Sequence, residues 1–355
     1  MEWDEKEADA SDTIDQRGAG GGAGGGSAMP DLGDILGGVL GGQGGAGGAG
    51  GGGMGGGLGG ALGGGGLGLG KKGGCLGIVM MLVAAVLLPK LLGGGGFDVS
   101  SMSKLDKIPQ FPSGGELPSE GAPSDASIPA SEDPDAELAS FAKVLITDTN
   151  DVWQDQFEKA NRKYSRAKLV LFSGGVQSGC GPASAEMGPF YCPADSLVYI
   201  DLGFFQELDQ RFGAAGDFAQ AYVIAHEVGH HVQNELGISS QVRKLEQEDP
   251  DAGKGEDGLS VRLELQADCL AGIWAHSRYE RGQADPTKRL EDGDIDEALD
   301  AAEAVGDDSI QKASTGRVNP EGFTHGSAKQ RKKWFKVGYD SGDSDKCDTF
   351  SADPL

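Results

Sequence analysis

Two histidines and a glutamate in the stretch A-H-E-V-G-H-H-V-Q, residues 225–233, have the types and spacing of a hydrolytic zinc site. On a helix, His226 and His230 are four residues apart and share one face, so both imidazoles can reach one ion. Glu227 then stands beside the metal, where a carboxylate acts as general base. This H-E-x-x-H pattern predicts zinc-dependent hydrolysis.

The alternative for this motif is a buried helix with two hydrogen-bonded core histidines. Residues 217–236 predict a single helix, with Asp217 as its N-cap and Gly237 as its stop signal. The helix carries small apolar residues on its surface, and burying two imidazoles and a carboxylate there without a metal or partners would be costly. The sequence therefore favours the metal site, although a bare H-E-x-x-H also occurs by chance.

A third metal ligand is expected on a second helix, because a catalytic zinc keeps three protein ligands and one open position. Residues 259–276 have a helical pattern in which Glu264 and Asp268 are four apart. We expect Glu264 on the metal. Asp268 would accept the N–H of a ligand histidine and so fix its tautomer. The alternative is an exposed acidic pair on a surface helix.

These blocks resemble the glutamate-zincin metallopeptidases, and more closely the bacterial neutral zinc metallopeptidases with one N-terminal membrane segment. Besides the two motifs above, the resemblance rests on the start M-E-W-D-E, on C-G-P-A-S-A-E-M-G-P-F-Y-C-P from Cys180 and on F-T-H-G-S-A-K-Q-R from Phe323. It covers roughly residues 138–350 and the N-terminal start. It implies a zinc peptidase and leaves the substrate open.

His325 lies in one of the matching blocks. In glutamate zincins a His or Tyr often stabilises the oxyanion opposite the metal, and the resemblance implies that role for His325. The equally weighted alternative is a helix-entry residue before Ser327, which would cap the last helix. His231 and His276 are expected to be structural, because their helical phase turns them away from the ligand faces.

The first 136 residues read as non-globular. Gly dominates residues 18–74, and the first 16 residues are acidic, so residues 1–74 are expected to be disordered. Residues 93–136 are rich in Pro, Ser and acidic residues and predict a flexible linker. The zinc metallopeptidase domain then occupies residues 137–355.

The apolar run at residues 75–92 predicts one transmembrane helix, with Lys90 reaching the interface. The alternatives are a signal-peptide core, which does not fit a position this far along the chain, and a buried core helix, which does not fit a position between glycine runs. Lys71 and Lys72 precede the run and give a weak positive-inside bias. We therefore expect a single-pass protein of the inner cell membrane, with a cytoplasmic N-terminus and a periplasmic peptidase domain.

Four of the five cysteines fall in the predicted domain. An even number in an extracytoplasmic domain predicts disulfides. Cys180 and Cys192 are close in sequence and are expected to pair, which leaves Cys269 with Cys347. Zinc ligation by cysteine is the weaker alternative, because no C-x-x-C spacing is present.

The predicted fold class is α+β: a helix-dominated zincin-like domain with a small sheet. Strands are expected at residues 168–172 and 197–202, and further helices at 136–163, 294–305 and 327–340. By analogy with zincins, residues 197–202 would lie above the cleft and pair with an extended substrate. The alternative for them is an ordinary core strand.

The predicted function is hydrolysis of peptide bonds in a peptide or protein substrate, with Zn²⁺ as cofactor and Glu227 as general base. One alternative is a membrane-anchored interaction module with a structural zinc, which Glu227 disfavours. The other is a zinc amidase acting on a non-peptide substrate. A net charge of −25 argues against nucleic acid as a partner. The oligomeric state stays open.

Overall fold

The computed structural model describes residues 1–18, 125–129 and 131–355. In these residues the fold is α+β and mostly helical, as predicted. The helices are α1 (Ala136–Lys159), α2 (Gly203–Gln210), α3 (Asp217–Glu235), α4 (Ile238–Glu248), α5 (Leu259–Ala284), α6 (Asp294–Ala304), α7 (Asp307–Thr315) and α8 (Ala328–Ser341). The strands are β1 (Thr13–Asp15), β2 (Lys168–Phe172), β3 (Gly175–Ser178), β4 (Gly181–Ser184), β5 (Phe190–Cys192) and β6 (Leu197–Asp201).

One four-stranded sheet has the order β1-β2-β6-β5, and β3 and β4 form a separate hairpin. The first three strands of that order run parallel, and β5 is antiparallel to β6. β2 and β6 are the predicted strands; they are nearly continuous apolar runs and are buried, as strands covered on both faces are. β6 has a neighbour on each side, so the expected pairing of residues 197–202 with substrate is wrong, and these residues form a core strand.

Three helices pack closely enough for backbones to touch, and glycines permit it. A side chain at Gly229, inside the histidine motif of α3, would press on the backbone of Ala267 in α5. A side chain at Gly272 or at Gly338 would overlap the backbone between α5 and α8. These contacts fix α3, α5 and α8 side by side, and the candidate site lies among them.

The C-terminal end of α3 is as predicted, and its N-terminal end is not. Gly237 has a left-handed backbone (φ 77°) just beyond the helix, as its predicted role as stop signal requires. Asp217 is the first helical residue rather than the N-cap, which is Gly216. The free N–H of Phe218 is satisfied by the side chain of Glu297 on α6 at 3.0 Å instead, so tertiary packing replaces the local cap.

The N-terminal residues are part of the fold, and the prediction that the first 16 residues are disordered is wrong. β1 pairs in parallel with β2, with Ile14 opposite Val170. Arg17, which is buried, bonds the carboxylates of Asp15 and Asp133 at 2.7–3.0 Å. Composition alone suggested disorder because the contacts that order this segment, such as Arg17 with Asp133 and β1 with β2, reach residues more than a hundred positions away. We call residues 1–18 the N-terminal arm.

The described segments on either side of residues 19–124 are hydrogen-bonded to each other. The Gly18 N–H donates to the Ala126 carbonyl at 2.7 Å, and the Ala126 N–H donates to the Asp15 carbonyl at 2.7 Å. The predicted transmembrane helix at 75–92, most of the glycine tract and most of the 93–136 linker lie outside the described residues. Within the described ranges, no helix is both long and apolar enough to cross a membrane.

Both predicted disulfides are confirmed. Cys180 joins the β3–β4 hairpin to Cys192 on β5, with Cα atoms 5.8 Å apart. Cys269 on α5 joins Cys347 near the C-terminus, with Cα atoms 5.6 Å apart. The second bridge therefore ties the end of the chain to the helix that carries Glu264 and Asp268.

Candidate metal centre

Three side chains predicted as metal ligands converge at the α3–α5 contact. His226, His230 and Glu264 each offer a ligand atom, and these atoms all lie within 4.8 Å of one another. His226 Nε2 is 3.2 Å from one oxygen of Glu264, and His230 Nε2 is 3.3 Å from the other. The four-residue spacing in α3 puts the two rings on one face of the helix, as the motif predicts, with their centroids 4.8 Å apart in an edge-to-face arrangement.

This donor set fits zinc. Each imidazole faces a different oxygen of Glu264, at 3.2 and 3.3 Å, and these separations are near the roughly 3.4 Å between two ligand atoms that a tetrahedral zinc holds at about 2.1 Å. Two imidazoles and one carboxylate are also the ligand types of hydrolytic zinc sites. Among the described residues three such donors meet here, so a fourth position would be open to water.

The charges around Glu264 also favour a cation. Burial alone would raise the pKa of Glu264, but the nearby charges of His230 and His325 hold it well below the usual range. Conversely, burial would lower the pKa of His230, but Glu264 raises it to about 9. Without a metal, protonated histidines carry the positive charge that faces the ionised Glu264, and a divalent ion bound there would take over that role as the histidines lose their protons.

Asp268 lies behind His226, on the side away from Glu264. It is fully buried, and its Oδ1 is 2.8 Å from Nδ1 of His226. A carboxylate in this position accepts a hydrogen bond from Nδ1, so Nε2, which faces Glu264, is the nitrogen available to a metal. The sequence prediction placed Asp268 in this role, and the alternative of an exposed acidic pair does not hold.

Two further residues support Asp268, and sequence reasoning missed both. Arg331 on α8 donates Nε to Oδ2 at 2.9 Å and an Nη2 hydrogen to Oδ1 at 2.8 Å. The hydroxyl of Tyr222 donates to Oδ1 at 2.6 Å. Burial would raise the pKa of Asp268, but the charges of Arg331 and His226 lower it to about 2. Tyr222 precedes His226 by four residues, so helical spacing could have found it; Arg331 carries no such local signal.

His230 has a neutral support instead. Its Nδ1 is 2.9 Å from Oε1 of Gln233, three residues further along α3. Gln233 is fully buried and donates Nε2 to the Leu263 carbonyl at 2.7 Å. Sequence reasoning missed Gln233, although a three-residue spacing on the motif helix was the available signal.

Glu227, the predicted general base, is buried next to the three converging donors. Its residue exposure is 8%. It follows His226 directly on α3, so the helix holds it next to that candidate ligand. The structure thus places Glu227 beside the candidate ligands, as the motif requires.

His325 lies at the rim of the site in the short segment before α8. The N–H groups of Thr324 and His325 each donate to Asp307 Oδ2 at 2.7 Å, and Gly326 does so at 3.1 Å. The His325 side chain is 44% exposed, with Nδ1 3.3 Å from Asp307 Oδ1. The segment packs on the helix that carries Glu264, because a side chain at Gly326 would meet Leu265 of α5.

Ser327 caps α8 with a full capping box, its side chain and that of Gln330 bonding each other's backbone N–H. The helix-entry alternative for this segment therefore describes Ser327 correctly, and it does not exclude a role for His325 at the rim.

The other two histidines hold structure, as predicted. His231 is fully buried, and burial lowers its pKa; its Nε2–H donates to the Ser165 carbonyl at 2.6 Å. The Nδ1–H of His276 donates to the Tyr339 carbonyl at 2.6 Å. Neither ring takes part in the cluster of candidate ligands.

Comparison with known proteins agrees with this geometry. The family described as putative neutral zinc metallopeptidase matches residues 42–350, and the chain belongs to that family. The uncharacterized protein YpfJ of Escherichia coli K12 is 46% identical over 279 residues, covering 79% of this chain and 87% of that protein. The uncharacterized protein Rv2575 of Mycobacterium tuberculosis H37Rv is 52% identical over 197 residues, covering 54% and 65%. No solved structure matches the chain.

Proposed function

We propose that this member of the neutral zinc metallopeptidase family hydrolyses peptide bonds with a zinc-activated water. The observation that carries the proposal is the convergence of His226, His230 and Glu264, with Glu227 buried beside them. When bound, zinc would lower the pKa of its water toward neutrality and polarise the substrate carbonyl.

The remaining steps fall to side chains of the chain itself. Glu227 takes the proton of the attacking water and passes it to the leaving amine. His325, with Nδ1 directed to Asp307, keeps Nε2 for the oxygen of the substrate carbonyl and stabilises its developing charge. Asp307 therefore acts as a positioning residue, because it orients both the His325 ring and the backbone that carries it.

An interaction module with a structural zinc is the weaker candidate. A structural zinc closes its fourth position with another side chain, and in the described part of the chain three donors meet at this point. The buried Glu227 would also have no purpose there. A zinc amidase acting on a non-peptide bond would use the same residues, so the substrate test below separates the two.

The test is cleavage of a peptide library by the full chain, since the N-terminal arm belongs to the fold and a 137–355 fragment would lack it. We expect cleavage that a chelator stops and zinc restores. Glu227→Gln should keep zinc and lose turnover by about two orders of magnitude or more, whereas the exposed Glu248→Gln should behave like the parent. A zinc-loaded parent that cleaves no peptide, or Glu227→Gln at the parental rate, would overturn the proposal.

We also propose that the protein is attached to the cell membrane through residues 75–92 and that its domain faces the periplasm. The fold adds a constraint to the predicted single pass. A single crossing between Gly18 and Asp125 would put β1 and β2 on opposite sides of the bilayer, yet they pair in one sheet. A single pass is thus compatible only with an arm that has left the sheet, and we propose that arm and domain share the periplasmic side.

Cysteine labelling in cells tests this arrangement. In a Cys75→Ser background, Ser11→Cys in the arm and Ser314→Cys on α7 place thiols at exposed positions. An impermeant maleimide applied to cells with a permeabilised outer membrane should label both. Labelling at position 314 with protection at position 11 would restore the single-pass arrangement, and protection of both would place the domain in the cytoplasm.

A further inference from the structure

Two buried glutamines connect His230 to the C-terminal segment by consecutive hydrogen bonds. His230 Nδ1 is 2.9 Å from Gln233 Oε1. Gln233 Nε2 donates to Gln266 Oε1 at 3.1 Å, and Gln266 Nε2 donates to the main-chain oxygen of Cys347 at 3.1 Å. Both amides are shielded, with exposures of 0% for Gln233 and 4% for Gln266. We call Gln233 and Gln266 the amide relay.

The relay has one possible direction. The Cys347 carbonyl can only accept, so Gln266 must turn its NH₂ toward it and its oxygen toward Gln233. Gln233 in turn gives its two hydrogens to Gln266 and to the Leu263 carbonyl. Its oxygen therefore faces His230 and accepts the Nδ1 hydrogen, so Nε2, on the Glu264 side, is the nitrogen that can give up its hydrogen to bind a metal.

The far end of the relay is held in two ways. Cys347 is bonded covalently to Cys269, which follows Asp268 directly on α5. The residues after it are fixed to α5 by Arg262, which donates to the Ala352 carbonyl at 3.0 Å and accepts through its own carbonyl from Thr349 at 2.6 Å. The acceptor that sets the relay is thus clamped to the helix that carries Glu264.

We propose that Gln233 and Gln266 are positioning residues through which the C-terminal segment, held by the Cys269–Cys347 disulfide, sets the orientation of His230 and the affinity of the site for zinc. This rests on the proposed function only in that the site binds zinc. The relay goes beyond the motif because neither glutamine is among the three converging donor side chains. Groups that orient ligand histidines typically contribute 10–100-fold in metal affinity.

Zinc affinity of the full chain, measured by competition with a graded chelator, tests the relay. Gln233→Met keeps the side-chain volume and should lower the affinity for zinc about 10–100-fold. Gln266→Met should lower the affinity for zinc less, by about tenfold, because the Leu263 carbonyl still orients Gln233. Gln154→Met, which removes an exposed amide bond on α1, is the matched control and should have no effect.

The double variant separates a relay from a general loss of packing. If Gln266 acts through Gln233, then Gln233→Met combined with Gln266→Met should bind zinc no more weakly than Gln233→Met alone. Independent packing effects would instead multiply. Absorption of bound Co²⁺ gives a second readout, because its bands follow ligand geometry; they should shift in both glutamine variants and stay unchanged in Gln154→Met.

The two disulfides provide a second matched pair. Replacing Cys269 and Cys347 by Ser should weaken zinc binding, whereas replacing Cys180 and Cys192, in the hairpin bridge, should not. If Gln233→Met does not fold, Gln266→Met and the disulfide variants decide the matter. A parent without zinc overturns both proposals, while a zinc-binding parent with unchanged affinity in Gln266→Met and in the Cys269/Cys347 variant overturns the relay alone.

Discussion

The two histidines of the motif share one helix but rest on different supports. Behind His226 the support is ionic: Asp268 paired with Arg331. Behind His230 the support is neutral: it is the amide of Gln233, which in turn donates to the Leu263 carbonyl. Removing one member of a buried ion pair leaves a charge without a partner, whereas removing an amide leaves only a dipole. The ionic side should therefore couple metal binding to folding more strongly than the neutral side.

The ionic support gives the largest expected effect. Asp268→Asn leaves the buried Arg331 without its counter-charge and should lower the free energy of unfolding of the zinc-free protein by about 3–5 kcal/mol. The same substitution should lower the affinity for zinc about 10–100-fold, because the hydrogen-bond partner of His226 loses its charge. Urea unfolding and chelator competition measure the two effects. The exposed Asp300→Asn is the control.

The same prediction can be sharpened by removing both charges. In Asp268→Asn with Arg331→Met, no unpaired cation remains, so much of the stability should return while zinc affinity stays low. Zinc-free Asp268→Asn with parental stability would show that the ion pair does not support the fold. The comparison between ionic and neutral supports would then fail.

The motif half of the site was predictable because its information is local. His226, Glu227 and His230 follow from four-residue spacing on one helix, and the same spacing on α5 gave Glu264 and Asp268. Tyr222 and Gln233 lie on the motif helix itself, and helical spacing could have found them. Arg331 could not be found that way, since it reaches Asp268 only because Gly272 and Gly338 let α8 approach α5.

The N-terminal arm shows where sequence patterns give least information. β1 has three residues, too few for a readable alternation of apolar and polar positions. Its neighbour β2 lies beyond the whole glycine tract, so neither composition nor periodicity indicates that the two strands pair. The four-stranded sheet was therefore only half predicted, and the sheet order depended on contacts between distant segments.

The buried carboxyl of Glu246 on α4, which forms no salt bridge with the described residues, shows what the ionic support prevents. Glu246 is 1% exposed; Ser260 donates to one of its oxygens, and the other has no hydrogen-bond partner within the described ranges. Burial raises its pKa to about 8, whereas Asp268 with Arg331 and His226 stays at about 2. The folded protein thus keeps a proton on Glu246 that the unfolded chain loses near pH 4.5.

The second largest effect on stability is predicted from the proton that Glu246 keeps in the folded protein. Between about pH 4.5 and 8 the folded state binds more protons at Glu246, so its contribution to the free energy of unfolding falls as pH rises through this window. Glu246→Gln should remove the fall and stabilise the protein by on the order of 2 kcal/mol at pH 9. Urea unfolding at pH 5 and pH 9 measures this. An unchanged pH slope in the variant would mean that Glu246 ionises as an exposed carboxyl does.

The smallest effect is expected at Tyr222, which belongs to the ionic support without carrying charge. Burial raises the pKa of its hydroxyl well above the usual value, so it stays neutral and donates to Asp268 at 2.6 Å. Tyr222→Phe removes one donor, but Arg331 and His226 still satisfy that carboxylate. The loss of stability should be about 1.5 kcal/mol, the low end for a hydrogen bond to a charged group.

The zinc affinity of Tyr222→Phe shows whether the hydroxyl or the ion pair with Arg331 holds Asp268 in place. In Tyr222→Phe it should fall by less than about tenfold, because Asp268 keeps its charge and its contact with His226. A loss as large as that of Asp268→Asn would show that the hydroxyl, rather than the ion pair with Arg331, holds the carboxylate in place. The support behind His226 would then depend on a neutral group, as the support behind His230 does, and the distinction between the two would disappear.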